Sequence, residues 1–256
     1  MNMVHLRVVP DDRRERTREK KRARMLAAAS RIIDRDGLNG VTIKALAEEL
    51  DCAVGTVYLY FPSKAALIAA LEADAVARLN ASYLRGRAHW DEALEREGLE
   101  PELIVLAQLC AFSAFLASAS VVLADEFELL RHLLSDKIDF RERAEVQEAL
   151  PVVEALLKHP IELLDNAVRL EITEPADNRT RALIWIAALN GVLPLDNLAV
   201  LDRHLFRAPH LARMLTMDLL HGWGADRADV EIAASHVEKL AARGPMAPPP
   251  DDPTWV

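Results

Sequence analysis

Residues Thr42 to Phe61, TIKALAEELDCAVGTVYLYF, decide how the amino-terminal part of this chain folds. Ile43, Leu46, Ala47 and Leu50 recur at helical spacing and give the first half one apolar stripe, with Lys44, Glu48 and Glu49 outside it. Thr42 stands where a side-chain oxygen can accept one of the backbone N–H groups that a helix start leaves unpaired. The pattern breaks over Asp51 to Val54. Beyond the break Val57 and Phe61 are four apart and face one way, which leaves Thr56, Tyr58 and Tyr60 on other faces of a helix about two turns long. A helix, a four-residue break and a short second helix are how a DNA-reading helix-turn-helix is written. Tyrosine and threonine hydroxyls suit backbone phosphates, and the small residues Ala53, Val54 and Gly55 let the second helix begin close to base edges. An ordinary helical hairpin could carry the same pattern, so the flanks matter.

Upstream stands RMLAAASRII (Arg24 to Ile33), followed by Asp36, Gly37 and Leu38; downstream come Tyr58, Tyr60, Phe61, Ser63, Lys64, Ala66 and Leu67. In order and spacing this run resembles the DNA-binding part of TetR-type (TetR/AcrR) regulators. The resemblance implies an all-α protein. A three-helix helix-turn-helix domain at 18–78, with its motif at 42–61, would sit on a larger helical effector-binding and dimerisation bundle at 79–243, with flexible tails at 1–17 and 244–256. It also implies DNA contacts from Arg22, Thr42, Lys44, Ala53, Val54, Gly55, Thr56, Tyr58, Tyr60 and Lys64. Two positions depart from the family pattern, which usually has glycine where Asp51 stands and serine or threonine where Ala53 stands. Losing such a cap costs on the order of 1 kcal/mol of helix stability. Ala53 and Val54 also cannot make the hydrogen bonds of a polar pair, so no base preference carries over.

The net charge of −9 would disfavour a polyanionic partner if it were evenly spread, but residues 1–64 hold 13 of the 31 Lys and Arg and 9 of the 40 Asp and Glu, leaving +4 there and −13 elsewhere. Most of the excess lies in Arg13 to Arg24. Such a run can be a solvated tail; before a helix-turn-helix it can also reach the DNA backbone or a flanking minor groove. The acidic remainder discourages nonspecific coating of DNA. Cys52 and Cys110 are too few for a disulfide framework or thiolate zinc site, which fits a reducing, cytoplasmic location. No membrane span is expected, because the apolar stretch Leu103 to Ala124 is interrupted by Gln108, Ser113, Ser118 and Ser120 and reads as a buried helix. Met1 to Pro10 lacks an apolar core of signal-peptide length.

Neither an internal repeat nor strand-type alternation is evident, so helices are expected throughout. The first should run from Arg18 to Arg35 and the fourth from the Ser63 cap towards His89, before a charged separator at Asp91 to Pro101. Arg179 to Leu195 and Pro209 to Ala225 resemble the last two core helices of the family, which implies a homodimer through Leu183, Ile186, Gly191, Leu211, Leu215, Leu219 and Trp223. The same stripes would serve equally as intramolecular core. Asp226 to Arg243 reads as a further helix and GPMAPPPDDP as a disordered tail.

No catalytic, metal or cofactor motif is present, and an enzyme is the least supported reading. The expected partners are double-stranded DNA with a palindromic operator, a second copy of the chain, and a small-molecule effector of unknown identity. An alternative is control by a protein partner. Trp90, Phe112, Phe115, Leu116, Phe127, Leu130 and His132 are candidates to line an effector pocket, with ordinary core as the competing assignment.

Overall fold

The computed structural model describes residues 12–135 and 143–248, and every element among them is helical. Two compact units divide between Asp74 and Ala75. In the first, α1 (Asp12–Gly40) is interrupted at Gly37, whose φ of 69° suits glycine as the expected stop. α1 begins six residues ahead of the expected Arg18, so the basic run from Arg14 to Arg24 is an exposed helix and no loose tail.

α2 (Ile43–Glu49) starts on Thr42, whose Oγ1 accepts from the Ala45 amide at 3.0 Å, and buries Ile43, Leu46 and Ala47. α3 (Val54–Tyr58) is only five residues long and its N-cap, Ala53, supplies no side-chain bond. A helix this short does not hold itself in water. It is kept by Val57 and Phe61, both almost fully buried and each contributing about 1.5–3 kcal/mol by leaving water. Ser63 Oγ accepts from the Ala66 amide at 3.0 Å and opens α4 (Lys64–Arg96), a helix divided between the two units.

α4 continues seven residues past His89, because Trp90 and Leu94 supply two more buried positions four apart. The expected separator shrinks to residues 97–100. α5 (Pro101–Val122) is apolar on all sides and buried at most of its length; it packs against α6 (Ala124–Ser135), α7 (Arg143–Arg169), α9 (Ala208–Gly222) and α10 (Arg227–Ala241). By length and hydropathy alone it could cross a membrane, but two thirds of its most apolar window is buried in the bundle, as a core helix requires. α8 (Asn178–Val192) packs on α7 and α9, and a 3-10 turn (Leu193–Leu198) follows it. Trp185 is buried between helices with its indole N–H donated to Thr216 Oγ1 at 3.1 Å.

Residues 244–248, expected to belong to a free tail, are held in place, and the rest of that expected tail, 249–256, lies outside the described residues. Met246 and Ala247 are buried, Ser82 Oγ donates to the Pro248 carbonyl at 2.6 Å, and the Ala247 amide donates to Ser118 Oγ at 3.1 Å. A Cβ on Gly86 would meet the Met246 carbonyl at 2.8 Å, so that glycine lets the chain end lie against α4.

Asp51, in the turn after α2, holds a left-handed φ of 49°. Asp51→Gly should raise unfolding stability by on the order of 0.5–1 kcal/mol, and Asp51→Val should lower it by about 1–2 kcal/mol. Chemical denaturation midpoints of the three proteins check this.

Candidate DNA-reading surface and ligand cleft

With Val57 and Phe61 turned inward, the opposite side of α3 is presented to solvent: Ala53, Val54, Gly55, Tyr58 and Leu59 are exposed, while Thr56 and Tyr60 are half-buried. The small residues at 53–55 leave the backbone of the helix start accessible. No atom lies within 4 Å of where a Gly55 Cβ would stand, so that position is open on this chain's own side. Leu59, 74% exposed, was not singled out in the sequence, although lying two residues from each of Val57 and Phe61 already places it on the outer side. An exposed leucine here can meet a thymine methyl.

The remaining expected DNA contacts occupy the same unit. Thr42 and Lys64 are exposed, and Lys44 is exposed with Glu48 at 3.6 Å one turn on. Arg22 lies over the Phe61 ring, 5.5 Å from its centroid, so it joins α1 to the residue that anchors α3 as well as adding positive charge. Glu49 performs a similar tie: Arg31 Nε donates to its Oε1 at 3.0 Å and Arg35 Nη1 to its Oε2 at 3.2 Å. These hydrogen bonds hold the Glu49 carboxyl below its ordinary pKa.

In the second unit the expected pocket residues are filled core. Tyr83 meets Trp90, Phe112 and Phe115 edge-on, with ring centroids 5.8, 5.5 and 5.3 Å away. His159 lies 4.7 Å from the same ring and donates from Nε2 to Asn80 Oδ1 at 2.6 Å. Burial pushes the Tyr83 hydroxyl up to about 12 and the His159 pKa down. Phe112, Leu116, Phe127 and Leu130 border a void of only about 10 Å³, far too small for an effector. Trp90 and Phe115 are buried within the same aromatic cluster, and His132 is half-buried on α6. These aromatics fill the centre by packing on one another.

A half-open cleft of about 580 Å³ lies elsewhere, among α5, α9, α10 and residues 244–246. Ala114, Ala117, Val121, Val237 and Met246 supply apolar lining, and Arg207, His210, Arg213 and Glu238 supply charged or polar lining. Cys110, also on its wall, is a fully buried thiol pushed up to about 12 and stays protonated. Nothing in the sequence marks this space, because its lining comes from segments far apart in the chain and mixes small, aliphatic and charged residues.

The expected dimer residues divide. Leu183 is 49% exposed, beside exposed Ile184, Ala187 and Gly191 on one side of α8, and Met214 is exposed on α9 with Leu211, Leu215 and Leu219 half-buried. Ile186, in contrast, is 3% exposed and belongs to the core, because it lies on the face of α8 that carries Trp185, Ala182 and Leu189. Trp223 is half-buried against Trp185, with Arg181 over its ring at 5.3 Å.

Residues 25–71 match the model for bacterial regulatory proteins of the tetR family, a span that contains the whole α2–α3 motif. The helix-turn-helix unit belongs to the tetR family. HTH-type transcriptional repressors named KstR are similar to it. One from Rhodococcus jostii is 32% identical over 99 residues (39% of this chain, 43% of that protein), and one from Mycolicibacterium smegmatis is 46% identical over 48 residues (19% and 24%). The chain thus matches less than half the length of these curated relatives. Solved structures share the fold at low identity. A protein of unknown function from Rhodococcus sp. RHA1 matches with a TM-score of 0.57 at 18% identity, covering 79% of this chain and 94% of that one. RolR without ligand matches at 0.54 and 17%, covering 83% and 96%, and its complex with resorcinol at 0.52 and 18%, covering 86% and 96%. These matches extend beyond the tetR-type unit and show a shared helical fold.

Because the Glu49 pKa is lowered on folding, its ion pairs stabilise fully above the ordinary carboxylate range, and that contribution is lost as pH falls through the folded pKa. Glu49→Gln should flatten the acid limb of the unit's stability between about pH 5 and 3. Unfolding curves of both proteins across that range, at low salt, check it.

Proposed function

We propose that the chain is a DNA-binding transcriptional repressor that works as a homodimer and is released from a palindromic operator by a small molecule. The observation that carries this is the outer side of α3: small residues at 53–55 and the exposed Tyr58, on a helix fixed from behind by Val57 and Phe61, within a unit that matches the tetR-family model. Val54 and Gly55 would meet base edges. Thr42, Tyr58, Tyr60 and Lys64 would hold phosphates, and the exposed basic face of α1 would add charge near them. The relatives' description as repressors supports the direction of control. A small effector is supported by the 580 Å³ cleft, whose volume falls in the range of ligand sites, and by RolR having been solved with resorcinol. Among the described residues no group of three His, Cys, Asp or Glu could hold a metal, and the regulatory reading needs no catalysis. A repressor of this kind works in the cytoplasm.

The dimer would form through α8 and α9. Leu183, Ile184, Ala187, Gly191 and Met214 expose apolar or small surface of a sort that is normally covered. A twofold dimer presents two identical recognition helices, so the DNA it reads best repeats with the same symmetry, its half-site centres one helical turn or a small multiple apart.

Two experiments test this. Tyr58→Phe and Lys64→Ala should weaken binding to operator and to random DNA by similar factors, whereas Val54 or Gly55 variants should change which sequence is selected from a random pool. Affinity should fall with salt at a logarithmic slope of roughly −0.9 per phosphate neutralised, and salt-independent binding would sink the model. Separately, Leu183→Glu should turn a dimer into a monomer in sedimentation at micromolar concentration. A wild-type monomer, or undiminished affinity after about five base pairs are inserted between half-sites, would contradict the rigid dimer.

A further inference from the structure

We infer that the cleft among α5, α9 and α10 binds an amphipathic anion: an apolar body in the alanine- and valine-lined trough and an acidic head group on Arg207 and Arg213. The inference rests on the regulatory reading for its biological meaning, but its chemistry is independent of it.

Three observations point to that class. Much of the lining is apolar: Ala114, Ala117 and Val121 follow one another along α5, and Val237 and Met246 add to it. Val121, 71% exposed, is a large apolar group left to water at the cleft. Among the described residues two guanidiniums stand against one carboxylate at the cleft, Arg207 and Arg213 against Glu238, with the His210 side chain beside them. This cationic excess occurs in a part of the chain, residues 65–256, that carries −13 overall, so an anion repelled by the rest of the surface is drawn to this place. Finally, Arg213 is incompletely satisfied. Its Nε is shielded from water and lies 3.0 Å from Glu238 Oε1 without forming an aligned hydrogen bond, so a ligand carboxylate or phosphate in the cleft would pair with the outer nitrogens of the guanidinium rather than with Nε. The buried, protonated Cys110 and Thr216, whose Oγ1 already accepts from Trp185, add no competing charge.

The test uses the full chain and four probes with one alkyl tail: dodecanoate, dodecyl phosphate, dodecanol and dodecyltrimethylammonium, titrated calorimetrically below their micelle concentrations. Dodecanoate or dodecyl phosphate, whichever head group fits, should bind one per chain and roughly tenfold more tightly than dodecanol, with the ammonium weakest. The double variant Arg207→Ala, Arg213→Ala should reduce that preference to about threefold or less while leaving dodecanol binding in place. Ala114→Trp, at a half-buried position on the cleft wall, should abolish binding of all four, with thermal unfolding showing that the variant is folded. Equal binding of anion and alcohol, an anion preference that survives loss of both arginines, or binding undisturbed by Ala114→Trp would overturn the assignment. DNA selected from a random pool is bound in parallel by the same samples. Binding to DNA without anion preference removes the cleft assignment alone, and anion binding without any DNA binding removes the regulatory reading alone.

Discussion

The outer face of α3 exists only because Val57 and Phe61 are kept out of water. α3 has five residues, no side-chain cap at Ala53 and a left-handed Asp51 two residues before that cap, so nothing within the segment itself favours a helix there. What favours it is the burial of two side chains one turn apart, with Phe61 also carrying Arg22 across its face. A residue that anchors by burial leaves its helical neighbours facing outward, and this is how Tyr58 and Leu59 come to be exposed. The same geometry that stabilises the helix therefore aims it.

The first unit was legible because its rules are local. Caps at Thr42 and Ser63, the stop at Gly37 and the inward pair Val57 and Phe61 each follow from one residue type at one spacing, and each is found in place. Asp51 was visible only as a departure, and its positive φ explains why glycine would suit the position better. Arg22 and Glu49 were harder to read. Their partners come from other helices, and the sequence fixes neither the distance nor the angle at which α1 meets α2 and α3.

In the second unit Trp90, Phe112 and Phe115 could equally have lined a pocket or filled core, and the physical reason they fill core is general. With Tyr83 they gain more by edge-to-face contact with one another than by bordering a void. A hollow forms instead where side chains are too small to fill the gap between helices, along Ala114, Ala117, Ala234 and Ala241. Alanine spacing in a sequence does not distinguish a close helix contact from an open cleft. Residues 244–248 were misread for a related reason: Pro245 and Pro248 disfavour regular structure, yet Ser82 and Ser118 give the backbone at Ala247 and Pro248 partners without it.

α9 stands between the cleft and the open apolar stripe, and its helical period assigns the two to opposite sides. Pro209, Arg213 and Thr216 share the face that borders the cleft, whereas Leu211, Met214 and Asp218 lie about half a turn of the helix away. Two binding events on opposite faces of one helix can communicate only if α9 has two positions that each event weighs differently, since a ligand with equal affinity for both shifts nothing. α9 packs on α5 as well as bordering the cleft, so a ligand that filled the cleft would bear on the side of α9 opposite the apolar stripe. Coupling would then run through the position of one fifteen-residue helix and would be reciprocal, with association of two chains altering affinity for the ligand by the same factor as the ligand alters association.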